Sequence, residues 1–183
     1  MTTTFHFLSQ FRHVLRAIML LIFLFFQSTA IPADEENERE NKIKIAYLFH
    51  FAQFTEWSLK STNFTYCVYE DGDFSKLLKA AYSDKTLRGD EVNVRLINAE
   101  SALTANCQLI YFPSDAPQNL LTKMIKKPIL TVGNQKNFIA QNGIIYMYEK
   151  DQKIRFYINN AIALEAGLKI SSQLLALSKD ENQ

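Results

Sequence analysis

Phe64-Thr-Tyr-Cys-Val-Tyr-Glu-Asp-Gly-Asp-Phe-Ser-Lys-Leu-Leu-Lys-Ala-Ala81 decides the fold. Its opening, Phe64 to Tyr69, is aromatic and β-branched and reads as a strand. An acidic turn follows, where Asp73 is the expected cap of a helix running through Leu77, Leu78 and Ala81. The alternation then repeats. Arg88-Gly89-Asp90 is a turn before the period-two strand Val92 to Ile97, and a short helix around Ser101 to Thr104 leads to the apolar strand Leu109-Ile-Tyr-Phe112, which Pro113 ends. Asn119 to Lys126 is helical, Ile129 to Val132 is a strand, Gly133 turns, and Asn134 caps a short helix through Phe138. Strands that alternate with helices need a mostly parallel sheet covered on both faces. The expected class is α/β, a three-layer arrangement with helices flanking the sheet.

Upstream, Lys42 to Trp57 is dense in apolar residues at helical spacing, with Tyr47, Phe51 and Phe54 on one face beside Ile45, Leu48, Phe49 and Ala52. Such a wide apolar stripe predicts a largely buried helix. Downstream, Gly143-Ile-Ile-Tyr-Met-Tyr148 and Lys153-Ile-Arg-Phe-Tyr-Ile158 flank Glu149-Lys150-Asp151-Gln152, which suits a C-terminal antiparallel hairpin. Asn159 or Asn160 then caps a final helix to about Leu177, with Leu164, Leu168, Ile170, Leu174 and Leu175 as its stripe.

The first thirty residues read differently. Arg12 and Arg16 precede the wholly apolar run Ala17 to Phe26, and Gln27-Ser28-Thr29-Ala30 supplies small residues before a cut. That order is a secretory signal over residues 1–30. The competing reading is an uncleaved anchor, which needs about 20 apolar residues, more than this core offers. Residues 31–41 are acidic and read as a flexible leader, residues 42–179 as a single domain, and residues 180–183 as a tail. Of 20 basic and 19 acidic residues, the signal removes two basic ones, leaving a balance of −1. So even a charge gives no electrostatic reason to bind nucleic acid or an anionic membrane.

Cys67 and Cys107 both lie in the exported part, and an even pair in an oxidising compartment favours a disulfide over two buried thiols. For chemistry, the exclusions are more informative. Outside the signal only His50 remains, so neither a His-rich zinc site nor a serine triad can be assembled, and no catalytic or metal-ligating residue is assigned. Gly72, Gly89, Gly133, Gly143 and Gly167 are spaced too widely to cradle a phosphate, so no cofactor is expected. Glu70-Asp71-Gly72-Asp73 suits a capped turn better than a Mg²⁺ site, because no second acidic pair sits on another strand end. In the last strand Ile154, Phe156 and Ile158 share one side, leaving Arg155, Tyr157 and Asn159 on the other. Arg and Tyr together suit either a protein contact or an ordinary solvated edge.

Several blocks, taken in order, carry a resemblance. Ile43-Lys-Ile-Ala-Tyr-Leu-Phe-His-Phe-Ala-Gln-Phe-Thr-Glu-Trp57 resembles the opening helix of the YfiR/HmsC-like family, and Cys67-Val68, Cys107 to Phe112, Ile129 to Val132, Asn142 to Ile145, Ile154 to Asn159 and Ala166 to Leu175 follow as that family's other blocks do. The resemblance implies a non-enzymatic periplasmic protein that binds the periplasmic domain of an inner-membrane diguanylate cyclase and holds it inactive, lowering cyclic di-GMP and biofilm formation. It also implies an outer-membrane lipoprotein able to draw the inhibitor away, a homodimer, and a disulfide at Cys67 and Cys107 that supports the inhibitory form. The chain departs from the family pattern in lacking a second cysteine pair near the hairpin and in carrying Tyr157 where an acid is usual. The alternative is a periplasmic small-molecule binding module serving another sensor, with its site at the carboxyl ends of the strands near Glu70, Pro113 and Gly133.

Overall fold

The computed structural model describes Arg16 and residues 33–58 and 63–178. The signal reading at 1–30 and the tail at 180–183 therefore lie outside the described residues, Arg16 excepted. Residues 38–183 form one compact unit. Helix α1 spans Ala33–Gln53 and strand β1 Thr55–Trp57, followed by β2 (Asn63–Tyr69), α2 (Gly72–Tyr82), β3 (Thr86–Leu87) and β4 (Asp90–Ile97). Then come β5 (Leu109–Phe112), α3 (Gln118–Met124), β6 (Leu130–Gly133), β7 (Ile145–Lys150), β8 (Lys153–Ile158), α4 (Asn160–Glu165), β9 (Leu168–Ile170) and α5 (Ser172–Leu177).

Seven strands form one sheet in the order β3-β4-β2-β5-β6-β7-β8. The run β4-β2-β5-β6-β7 is parallel, and β3 and β8 add an antiparallel strand at each edge. Parallel crossovers are right-handed. The chain moves one way from β2 to β4 and the opposite way from β5 to β6, so the two crossovers fall on opposite faces. α2 accordingly packs Phe74, Leu78 and Tyr82 into the core shared with Tyr66, Val68, Leu109 and Tyr111, together with Leu48 and Phe51 of α1 and Leu168, Ile170 and Leu174. α3 packs Leu120, Leu121 and Met124 into the second core, with Cys67, Ile110, Phe112 and Phe138. The result is the expected three-layer α/β fold with its C-terminal hairpin.

Local outcomes differ from the sequence reading in instructive places. α1 starts at Ala33, inside the segment read as a leader, and stops at Gln53. Its acidic start is held as helix by Glu38 with Lys42 and Glu40 with Lys44, each pair at 2.7 Å and one turn apart. The Lys42 ammonium bonded to Glu38 keeps that carboxyl below its ordinary range. At the other end the buried Thr55 hydroxyl donates to Phe51 O at 2.7 Å, closing the helix, and Thr55 to Trp57 turn into a strand paired with β9. Asp71 rather than Asp73 caps α2, accepting Phe74 N–H at 2.9 Å, since Gly72 is already helical. Asp73 lies within the first turn and accepts from Lys76 Nζ at 3.0 Å. Ser101 to Thr104 and Asn134 to Phe138 form turns instead of short helices. The hairpin connection narrows to Asp151 and Gln152, both left-handed (φ 54 and 57), the geometry that matches strand twist.

The final helix is broken. Gly167, at φ 73, ends α4, and Leu168 to Ile170 leave as β9 to pair with β1 before Ser171 caps α5. Helical periodicity and two short helices around a three-residue strand bury the same leucines, so the apolar stripe alone does not separate them. The left-handed glycine is what stops the helix.

Candidate functional site

Three features of the described residues bear on function, and the disulfide anchors the first. Cys67 sits mid-strand in β2, opposite Arg95 of β4 and Ile110 of β5. Cys107 enters β5, and the bond joins them across a separation of 40 residues with Cα atoms 5.9 Å apart. Both cysteines are buried. The bond ties β2 to the β4–β5 connection, residues 98–108. That connection is shaped by Ser101 N–H donating to Asn98 Oδ1 at 3.1 Å and by Arg95 Nη1 donating to Ala105 O at 3.1 Å. Beneath it, at the amino ends of β2, β5 and β6, opens a cleft of about 510 Å³ whose walls include Trp57, Arg95, Cys107, Gln108 and Lys127.

The carboxyl ends, where the alternative reading placed a small-molecule site, are filled differently. Gln135 donates from Nε2 to Phe112 O at 2.9 Å and to Ser114 O. Phe138 is fully buried against Gly133 and Gly143. Glu70 takes a left-handed backbone (φ 52) and donates its N–H to Ile97 O at 2.9 Å. Beside it Tyr69 has its phenol pushed up by burial and then by Glu70. The roomy end of the sheet is therefore the opposite one.

The second feature is the outer face of the hairpin. Ile154, Phe156 and Ile158 point into the first core and are buried, as the alternation predicts. Arg155 and Tyr157 are half-buried on the other face, opposite Tyr148 and Tyr146 of β7 in register. Tyr146 and Tyr148 stack with ring centroids 5.3 Å apart. Tyr157 also packs against the second core. The Asn159 side chain accepts Ile162 N–H at 3.3 Å as the α4 cap. Tyr146 and Tyr148 are both buried in the second core, behind the half-buried Arg155 and Tyr157.

Third, the chain end of α1 is pinned by Arg88, which sequence reading placed only in a turn. Its guanidinium donates to Gln53 O at 2.9 Å, to Ala52 O at 3.3 Å and to Thr55 O, and lies 5.9 Å from the Trp57 ring. The Ala52 and Gln53 carbonyls are the open ones of a helix terminus, a natural seat for a cation. His50 is exposed on α1 between Phe49 and Phe54, each ring centroid 6.4 Å away. Among the described residues no group of three or more His, Cys, Asp or Glu is placed to hold a metal ion, and no helix is long and apolar enough to cross a membrane.

A family model described as YfiR/HmsC-like matches residues 41–179. No curated protein matches the chain.

Proposed function

The chain belongs to the YfiR/HmsC-like family, whose members are periplasmic regulators, and from that membership we propose that it binds the periplasmic domain of an inner-membrane diguanylate cyclase and holds the enzyme inactive. Binding of this kind lowers cyclic di-GMP and biofilm formation. An outer-membrane lipoprotein that draws the regulator away releases the cyclase. Export through a signal at residues 1–30, a homodimer and the absence of any catalytic step belong to the same proposal. The observation that carries it is the match over 41–179, and the buried disulfide suits an oxidising compartment.

An inhibitor shifts its target only by binding the inactive state more tightly than the active one. The proposed contact is the hairpin face of β8 that carries the half-buried Arg155 and Tyr157, residue types enriched at protein interfaces, with Tyr146 and Tyr148 of β7 buried behind them in the second core. Asn159 is left out of it because its side chain is spent as a cap.

The test is intracellular cyclic di-GMP in a strain lacking the protein, beside its parent and strains complemented with wild type or with Arg155→Ala, Tyr157→Ala. A rise on deletion, reversed by wild type and not by the folded double variant, is the expected pattern. No rise on deletion refutes inhibition of a cyclase, and full complementation by the double variant refutes the hairpin face.

A further inference from the structure

The cleft at the amino ends of β2, β5 and β6 has a chemistry that the regulatory reading leaves unused. Its volume, about 510 Å³, is in the range of small-molecule sites. Among the described residues two cations, Arg95 and Lys127, line it, and no carboxylate does. In a chain with 20 basic and 19 acidic residues, such a one-sided lining is a local charge imbalance.

Both cations are aimed by the same loop. Arg95 Nη1 donates to Ala105 O at 3.1 Å and Lys127 Nζ to Leu103 O at 3.4 Å. Each carbonyl takes a single donor from its cation, which leaves the other N–H groups of the guanidinium and the ammonium for a ligand. Gln108 spends its Oε1 on Thr65 N–H at 2.7 Å, so its NH₂ group is a further donor at the wall. Trp57, whose buried indole N–H has no acceptor among the described residues, supplies a flat side. A site whose described lining is rich in donors and holds no carboxylate suits an oxyanion, and Arg in particular matches the two oxygens of a carboxylate or phosphate.

The disulfide forms part of this wall. Cys107 lines the cleft, and its partner Cys67 stands opposite Arg95 in register. We propose that the cleft binds a small metabolite through a carboxylate or phosphate group held by Arg95 and Lys127, and that the Cys67–Cys107 bond keeps the loop in the binding position. Redox state and ligand are thereby read at one place. The proposal does not depend on which protein the regulator controls.

The experiment is a calorimetric and thermal-shift titration of the purified, oxidised protein with inorganic phosphate and, separately, with citrate as the carboxylate probe. Saturable binding of at least one probe is expected, with the better probe identifying the oxyanion class. Arg95→Gln, Lys127→Gln should bind at least about tenfold more weakly, a loss of the size expected for charge-assisted bonds, while melting at the wild-type temperature without ligand. Cys67→Ser, Cys107→Ser should also bind more weakly. Neither probe binding saturably, or undiminished binding by the Arg95 and Lys127 variant, overturns the site. Undiminished binding by the cysteine variant overturns the role given to the disulfide.

Discussion

Phe138 is clamped between two glycines, and the clamp makes a sharp prediction. A Cβ placed on Gly133 would stand 2.5 Å from Phe138 Cδ2 and 2.8 Å from Cγ, and its three nearest atoms all belong to that side chain. A Cβ on Gly143 would also meet the ring, and in addition the Phe138 backbone carbonyl at 2.7 Å. Phe138 is fully buried, so Phe138→Ala should cost about 3–5 kcal/mol. Gly133→Ala alone should cost about 1–3 kcal/mol through overpacking. In the Phe138→Ala background the clashing atoms are gone, and Gly133→Ala should be neutral or stabilise by up to about 1 kcal/mol by restricting the unfolded chain. The coupling between the two sites is then about 1–3 kcal/mol, outside the additivity expected of independent positions. Gly143→Ala should stay destabilising in both backgrounds, because the backbone carbonyl remains. Equilibrium urea unfolding of the six proteins measures every leg. Additive behaviour of Gly133 and Phe138 within about 0.5 kcal/mol would refute the clamp.

Three further outcomes follow from named groups. Reduction, or Cys67→Ser with Cys107→Ser, should lower stability in urea by about 4 kcal/mol, the loop-entropy value for a separation of 40, and a loss under about 1 kcal/mol would show that the unfolded chain is already constrained. Asn159→Ala should cost about 1 kcal/mol as a lost cap yet leave cyclic di-GMP control intact, whereas loss of control in a folded Asn159→Ala protein would return this residue to the partner surface. Burial pushes the phenols of Tyr66, Tyr82 and Tyr111 above their ordinary value near 10. Their neutral form is favoured in the fold, so stability holds below that pH and falls above it by about 1.4 kcal/mol per pH unit for each, which alkaline unfolding followed by phenolate absorbance will show; reversible ionisation of all eight tyrosines in the folded protein would contradict it.

The sequence alone determined the layers, because burial dictates composition. Leu109-Ile-Tyr-Phe112 is apolar at every position, as a strand covered on both faces must be. The alternation of Lys153 to Ile158 located the hairpin and its inward residues for the same reason. Asn159 was legible as a cap from its place before Ala161 to Leu164, and that capping bond is where the structure places its side chain. What only the tertiary structure decided are the features that need two distant segments at once. The break at Gly167 depends on β1 offering a partner to Leu168–Ile170, and the strand at Thr55–Trp57 depends on β9 in return. Neither side of that pair has a local pattern strong enough to specify it. The cleft at the amino ends arises because Arg95, Cys107 and Lys127, far apart in the chain, converge where three parallel strands begin, while Gln135 and Phe138 fill the ends where ligands usually sit. Local propensity encodes how a segment buries itself, and only the register of the sheet decides which side chains meet.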